Sequence, residues 1–133
     1  MRCLVIDDDD FSREFVAAML NDVAECDQAS RGSEAVEKFS TALETGDPYD
    51  LLLMDIVMPE MNGHETAKTI RSIEKERGLA VNKRVNIVML TSISTPQSAM
   101  EAFCSAQSAA YIVKPVSKDS LVKVISQLGL LKK

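Results

Sequence analysis

The stretch that decides the fold is Leu51-Leu52-Leu53-Met54-Asp55-Ile56-Val57-Met58-Pro59-Glu60-Met61-Asn62-Gly63. Four apolar residues run without a break into Asp55, and Asn62-Gly63 marks a tight turn beyond it. An unbroken apolar run of this length reads as a strand buried on both faces, the habit of strands in parallel sheets. An ionisable residue closing such a strand stands at the carboxyl edge of the sheet, where open α/β folds place their ligands. Asp55 is therefore a candidate for chemistry, although an aspartate there could equally cap the following turn.

Working outward, similar runs recur. Cys3-Leu4-Val5-Ile6 ends in Asp7-Asp8-Asp9-Asp10, Ile87-Val88-Met89-Leu90 ends in Thr91-Ser92, and Tyr111-Ile112-Val113 ends in Lys114-Pro115. Helical periodicity fills the gaps between them. Asp10 is the expected N-cap of a first helix whose sheet-facing side would carry Phe11, Phe15, Ala18 and Met19. A weak strand is placed at Glu25 to Ser30 from topology alone. A second helix from Ser33 buries Ala35, Val36, Phe39, Ala42 and Leu43 and stops at Gly46-Asp47-Pro48. A third spans Thr66 to Arg77, turning Ala67, Ile70 and Ile73 inward and ending at Gly78. Pro96 opens a fourth, which carries Met100, Phe103 and Cys104. Ser117 caps the last, with Leu121, Val124, Ile125 and Leu128 at helical spacing. Strands alternating with crossover-length helices predict one parallel sheet covered on both faces.

Composition narrows the function. The 133 residues suit a single domain, 1–133 with a core of about 2–128, and 46% apolar with 26% charged residues is ordinary for a globular chain. A net charge of −5 speaks against direct nucleic-acid binding, which needs a basic face. No apolar run is long enough to span a membrane, and the first is too short for a signal peptide, so a cytoplasmic protein is expected. Cys3, Cys26 and Cys104 have neither disulfide-framework nor zinc spacing and read as free thiols. His64, the only histidine, reads as a surface residue opening a helix.

The strand ends gain meaning together. In a parallel sheet Asp7-Asp8, Asp55, Thr91 and Lys114 all reach one edge. Carboxylates brought close repel one another unless positive charge lies between them. A hard divalent cation such as Mg²⁺ meets that need, with Lys114 as a second positive charge and Thr91 as a hydroxyl donor. Such a set suits an incoming phosphoryl group, with Asp55 as the nucleophile of an acyl phosphate.

These residues resemble the receiver domain of two-component response regulators over essentially the whole chain. The resemblance is carried by Asp7-Asp8 with Arg13 behind it, by Asp55 with Met58-Pro59-Glu60-Met61-Asn62-Gly63, by Thr91, and by Tyr111-Ile112-Val113-Lys114-Pro115. It implies a flavodoxin-like α/β fold, doubly wound, with five helices and five parallel strands in the order 2-1-3-4-5. It also implies a signalling switch, not an enzyme for a separate substrate. Asp55 would take a phosphoryl group from a phosphohistidine on a sensor histidine kinase or histidine phosphotransfer protein. Asp8, Asp55 and the Val57 carbonyl would bind Mg²⁺, with Asp7 acting mainly through water. Thr91, Ser92 and Lys114 would hold the phosphoryl oxygens, and the Lys114–Pro115 bond would be cis. Tyr111 would follow Thr91 inward and change the surface made by the helix from Pro96, the last strand and the final helix. That surface would meet a downstream protein target, or a second copy in a homodimer.

Departures from the family pattern carry expectations too. Ser105 to Ala110 lacks the glycine often found before the last strand, and the helix from Pro96 is poor in charge. Val57 and Ile93, which flank the phosphoryl site in the family, are apolar here and cannot orient water, so slow self-dephosphorylation is expected. A stand-alone regulator without an effector domain is the preferred organisation. Two rivals compete: a Mg²⁺-dependent phosphatase of the haloacid dehalogenase type, with Asp7 and Asp9 as its D-x-D pair, and a receiver-like module that binds partners without phosphorylation.

Overall fold

A computed structural model describes residues 1–56, 62–91 and 110–130. Within them, β1 (Arg2–Ile6), β2 (Glu25–Ala29), β3 (Leu51–Asp55), β4 (Asn86–Thr91) and β5 (Ala110–Val113) form one sheet in the order β2-β1-β3-β4-β5. All four strand pairings are parallel. The helices are α1 (Asp10–Met19), α2 (Gly32–Glu44), α3 (Gly63–Glu76) and α4 (Lys118–Gln127), the last being the final helix of the sequence reading. The helix expected from Pro96, with Met100, Phe103 and Cys104, lies outside the described residues, as do Val57, Ser92, Ile93 and most of the glycine-free stretch before β5.

Every residue of β3 is buried, as its unbroken apolar run predicts. Alternate strand residues feed opposite faces of the sheet. Leu4, Ile6, Leu52, Met54, Ile87 and Met89 pack under Ala35 and Phe39 of α2 and Ala67 and Ile70 of α3. Cys3, Val5, Leu51, Leu53, Val88 and Leu90 pack on the other side against Val16, Ala17 and Leu20 around α1 and Leu121 and Ile125 of α4. Burying each large side chain stabilises the fold by about 1.5–3 kcal/mol. The two cores hold the sheet between helices on both faces, so its carboxyl edge is a fixed platform.

The first helix departs from expectation. Phe11 and Phe15 point outward, 76% and 52% exposed, and Ala18 is exposed as well. The face against the sheet is made of Val16 and Ala17, with Leu20 behind them and Met19, as expected, packed partly buried against the same core. The two phenyl rings contact each other at 6.2 Å between centroids. The N-cap is Asp9, not Asp10, because Asp9 has extended backbone and accepts the Phe11 amide, while Asp10 is already helical. The third helix begins earlier than Thr66. Asn62 caps it by accepting the Glu65 amide at 2.9 Å, so Gly63 and His64 lie in its first turn. Ser117 caps α4 through a reciprocal pair of bonds with Ser120. No described helix is long and apolar enough to cross a membrane.

Candidate functional site at the carboxyl edge

The parallel ladder continues one residue past three strands and fixes the polar residues there. Asp7 donates its amide to the Ala29 carbonyl (3.1 Å), Ile56 to Leu90 (3.1 Å) and Lys114 to Thr91 (2.7 Å). Asp7, Asp55 and Thr91 are thereby held beside the core and are 1%, 8% and 2% exposed. Asp8 faces solvent. Carboxylate oxygens of Asp7, Asp8 and Asp55 lie within 4.8 Å of one another. Three hard oxygen donors with one side open to water fit a Mg²⁺ ion, which keeps several waters and takes few carboxylates.

Lys114 supplies the opposing charge. Its Nζ lies 3.3 Å from Asp7 Oδ2 and 3.5 Å from Asp55 Oδ2. Burial alone would push its ammonium down, but the Asp55 and Asp7 carboxylates outweigh that and hold it above the ordinary lysine value. The Lys114–Pro115 peptide is cis. Thr91 ends β4 and pairs with Val113 of β5. Tyr111 is half-buried on β5, opposite Met89, and packs against the core beneath α2 and α3.

A supporting shell orients the acidic pair. Asp7 Oδ1 accepts the Asp9 amide at 2.9 Å, and the Asp7 carbonyl accepts from the Arg13 guanidinium at 2.9 Å. Arg13 also donates to Gln28 of β2 (3.0 Å) and pairs with Asp10 (2.6 Å), so the loop after β1 is bolted to α1 and β2. Hydrogen bonds from Ser12 pull the Asp9 carboxyl below its usual value.

The fold thus brings together Asp7, Asp8, Asp55 and Lys114, and it sets Thr91 at the end of the neighbouring strand. Gly63 has a part that the sequence reading assigned only to a tight turn. Its amide donates to the Ile56 carbonyl at 2.9 Å, and a Cβ there would lie 2.6 Å from the Asp55 carbonyl oxygen. The fixed spacing from Asp55 to this glycine was the available signal. Beside the site, a groove of about 250 Å³ runs between Phe11, Ser12, Phe15 and Val16 on one side and Lys114, Pro115 and Val116 on the other.

Comparison with known proteins agrees with this geometry. Residues 3–126 match the family model of the response regulator receiver domain. The two-component response regulator ORR41 of Oryza sativa subsp. japonica is 33% identical over 135 residues, covering 98% of this chain and 95% of that one. The hybrid signal transduction histidine kinase L of Dictyostelium discoideum is 30% identical over 129 residues, 96% of this chain but 7% of the kinase. The receiver domain of Ssk1 from Saccharomyces cerevisiae, solved with the histidine phosphotransfer protein Ypd1, superposes with a TM-score of 0.83 at 27% identity, covering 97% of this chain and 88% of that one. The receiver domain of the histidine kinase CKI1 from Arabidopsis thaliana, solved with Mg²⁺ and BeF₃⁻, gives 0.77 at 27% identity, with 94% and 89% covered. The receiver reading stands and the phosphatase reading falls: this chain belongs to the response regulator receiver domain family.

Proposed function

We propose that Asp55 accepts a phosphoryl group from a phosphohistidine on a sensor histidine kinase or a histidine phosphotransfer protein, and that the product switches the binding of a downstream protein. One observation carries the reading: a nearly buried carboxylate at the carboxyl edge, with two further carboxylates within 4.8 Å and an ammonium at 3.5 Å. A carboxylate oxygen of Asp55 attacks phosphorus, the phosphorus–nitrogen bond of the donor breaks, and its electron pair returns to the imidazole. Asp8 and Asp55 would hold Mg²⁺, helped by the carbonyl of residue 57, with Asp7 in support. Bound there, the ion offsets the negative charge of the carboxylates and the phosphoryl oxygens. Lys114, already paired with Asp7 and Asp55, can swing its Asp55 contact to a phosphoryl oxygen. Thr91 and Ser92 supply hydroxyl donors, and Tyr111 is the aromatic that reports the change. Val57 and Ile93 set the lifetime of the acyl phosphate by withholding a group that could orient water.

The test is intact mass after incubation with Mg²⁺ and acetyl phosphate, for wild type and Asp55→Asn in parallel. One added phosphoryl group in wild type alone is the expected result. Equal gain in both proteins would move the nucleophile elsewhere, and no gain in either, with a cognate phosphohistidine donor failing too, would leave a module that works without phosphorylation.

A further inference from the structure

Cys3 of β1 and Cys26 of β2 are direct register partners in the parallel ladder. Partners in such a ladder share a face, and both pack into the core on the α1 and α4 side. Neighbouring strands run about 4.8 Å apart, inside the roughly 4.4–6.8 Å between Cα atoms that a disulfide spans. The two thiols also perturb each other, and the Cys26 thiol donates to the Ala24 carbonyl at 4.0 Å.

The two thiols live in different surroundings. Cys3 is fully buried, whereas Cys26 is half-buried on β2, an edge strand of the sheet. The adjoining Cys3 thiol pulls the Cys26 thiol down, against burial and the neighbouring Asp27 carboxylate. The adjoining Cys26 thiol, burial and nearby negative charge push Cys3 well up. Cys26 is therefore the partly exposed member of the pair, and Cys3 the shielded one. Thiolate character and access together select which cysteine an oxidant meets first.

We propose that Cys3 and Cys26 form a reversible dithiol–disulfide site oxidised by peroxide. The Cys26 thiolate attacks one oxygen of hydrogen peroxide, the oxygen–oxygen bond breaks, and hydroxide leaves behind a sulfenic acid. The Cys3 sulfur then attacks the Cys26 sulfur, the sulfur–oxygen bond breaks, and the leaving hydroxide takes the Cys3 proton as water. Two thiols are oxidised and one peroxide is reduced to two waters. Cys26 is half-buried on an edge strand, so a thiol reductant can reach the bridge and return it to the dithiol, the behaviour of exposed rather than structural disulfides.

The experiment uses Cys104→Ser protein, in which Cys3 and Cys26 are the remaining cysteines. The folded protein is treated with hydrogen peroxide, alkylated in denaturant, and read by intact mass and peptide mapping. The expected result is loss of two hydrogen masses, a cross-linked peptide pair containing Cys3 and Cys26, and return of both thiols with dithiothreitol. Adding Cys3→Ser should convert the product to an oxygen adduct on Cys26. Oxygen adducts in the Cys104→Ser protein without the cross-link would overturn the proposal, and so would full alkylation of both thiols after peroxide treatment.

Discussion

A methyl group on Gly63 would lie 2.6 Å from the carbonyl oxygen of Asp55 and 2.8 Å from the Ile56 Cα, with backbone on both sides. The start of α3 is thus wedged against the backbone of Asp55 and Ile56. Backbone cannot yield as the end of a flexible side chain can. Gly63→Ala should cost about 1–3 kcal/mol and slow phosphoryl uptake from acetyl phosphate. Urea denaturation and a mass time course check the two parts separately.

Lys114 stands 3.3 Å from Asp7 and 3.5 Å from Asp55, so it competes with any cation for the same carboxylates. Lys114→Ala removes the competitor and leaves uncompensated negative charge. Mg²⁺ should bind more tightly, by about 1 kcal/mol or roughly fivefold in Kd, even though the phosphoryl switch is lost. Thermal shift across a Mg²⁺ titration measures the first effect; weaker Mg²⁺ binding would contradict it.

Glu74 of α3 is fully buried and accepts the Val85 amide and the Arg71 guanidinium, each at 2.7 Å. The same guanidinium nitrogen donates to the Val85 carbonyl at 2.8 Å, so the pair clamps the approach to β4. Glu74→Ala strands the Val85 amide and takes the buried carboxylate from Arg71, and should cost about 3–5 kcal/mol. Equilibrium unfolding should show the midpoint fall with little change in slope.

Alkaline pH should weaken the fold through two groups. Burial, and then the bond to Asp27, raises Tyr49 from 10.0 to about 12, so the folded chain keeps a proton that the unfolded chain gives up. Stability therefore falls with rising pH between about 10 and 12. Lys114 acts in the same direction: its contribution is complete below 10.5 and is lost as pH climbs through its raised folded value. Tyr49→Phe should flatten this slope in unfolding experiments run across that range.

Phe11 and Phe15 are exposed, so replacing both with Ser should change stability by less than about 0.5 kcal/mol each. They line the groove that Asp7 and Lys114 also border, a surface a protein donor can touch and a small one does not need. The double variant should take phosphate from acetyl phosphate at the wild-type rate and more slowly from a phosphohistidine protein. Equal slowing with both donors would place the effect in the site itself.

The sheet was legible wherever a strand is buried on both faces. β1, β3 and β4 write themselves as apolar runs, and their polar endings locate Asp7, Asp8, Asp55 and Thr91. β2 is an edge strand whose residues, apart from Ala29, are exposed or half-buried, so its composition says little and its place came from topology. On α1, Phe11 and Phe15 have core-like size and helical spacing, but the helix is turned so that Val16 and Ala17 face the sheet and both rings stay outside. The Asp9 cap could not be told from Asp10 because both are aspartates and only backbone angles decide. Glu74 and the Arg2–Asp27–Tyr49 cluster, in which Arg2 pairs with Asp27 at 2.9 Å and stacks over the Tyr49 ring at 4.5 Å, join residues distant in sequence. A charged residue in a helix reads as solvated until its tertiary partner is known.

The 2.7 Å bond from the Lys114 amide to the Thr91 carbonyl makes the tips of β4 and β5 a single mechanical piece. Whatever tugs on one tip is felt at the other, in both directions. A target protein that grips the β5 side and prefers the phosphorylated shape must, by thermodynamic reciprocity, make the acyl phosphate more favourable. The listener would then help to write the message: abundance of the target, and not the donor alone, would set how much of the receiver is found in the signalling state.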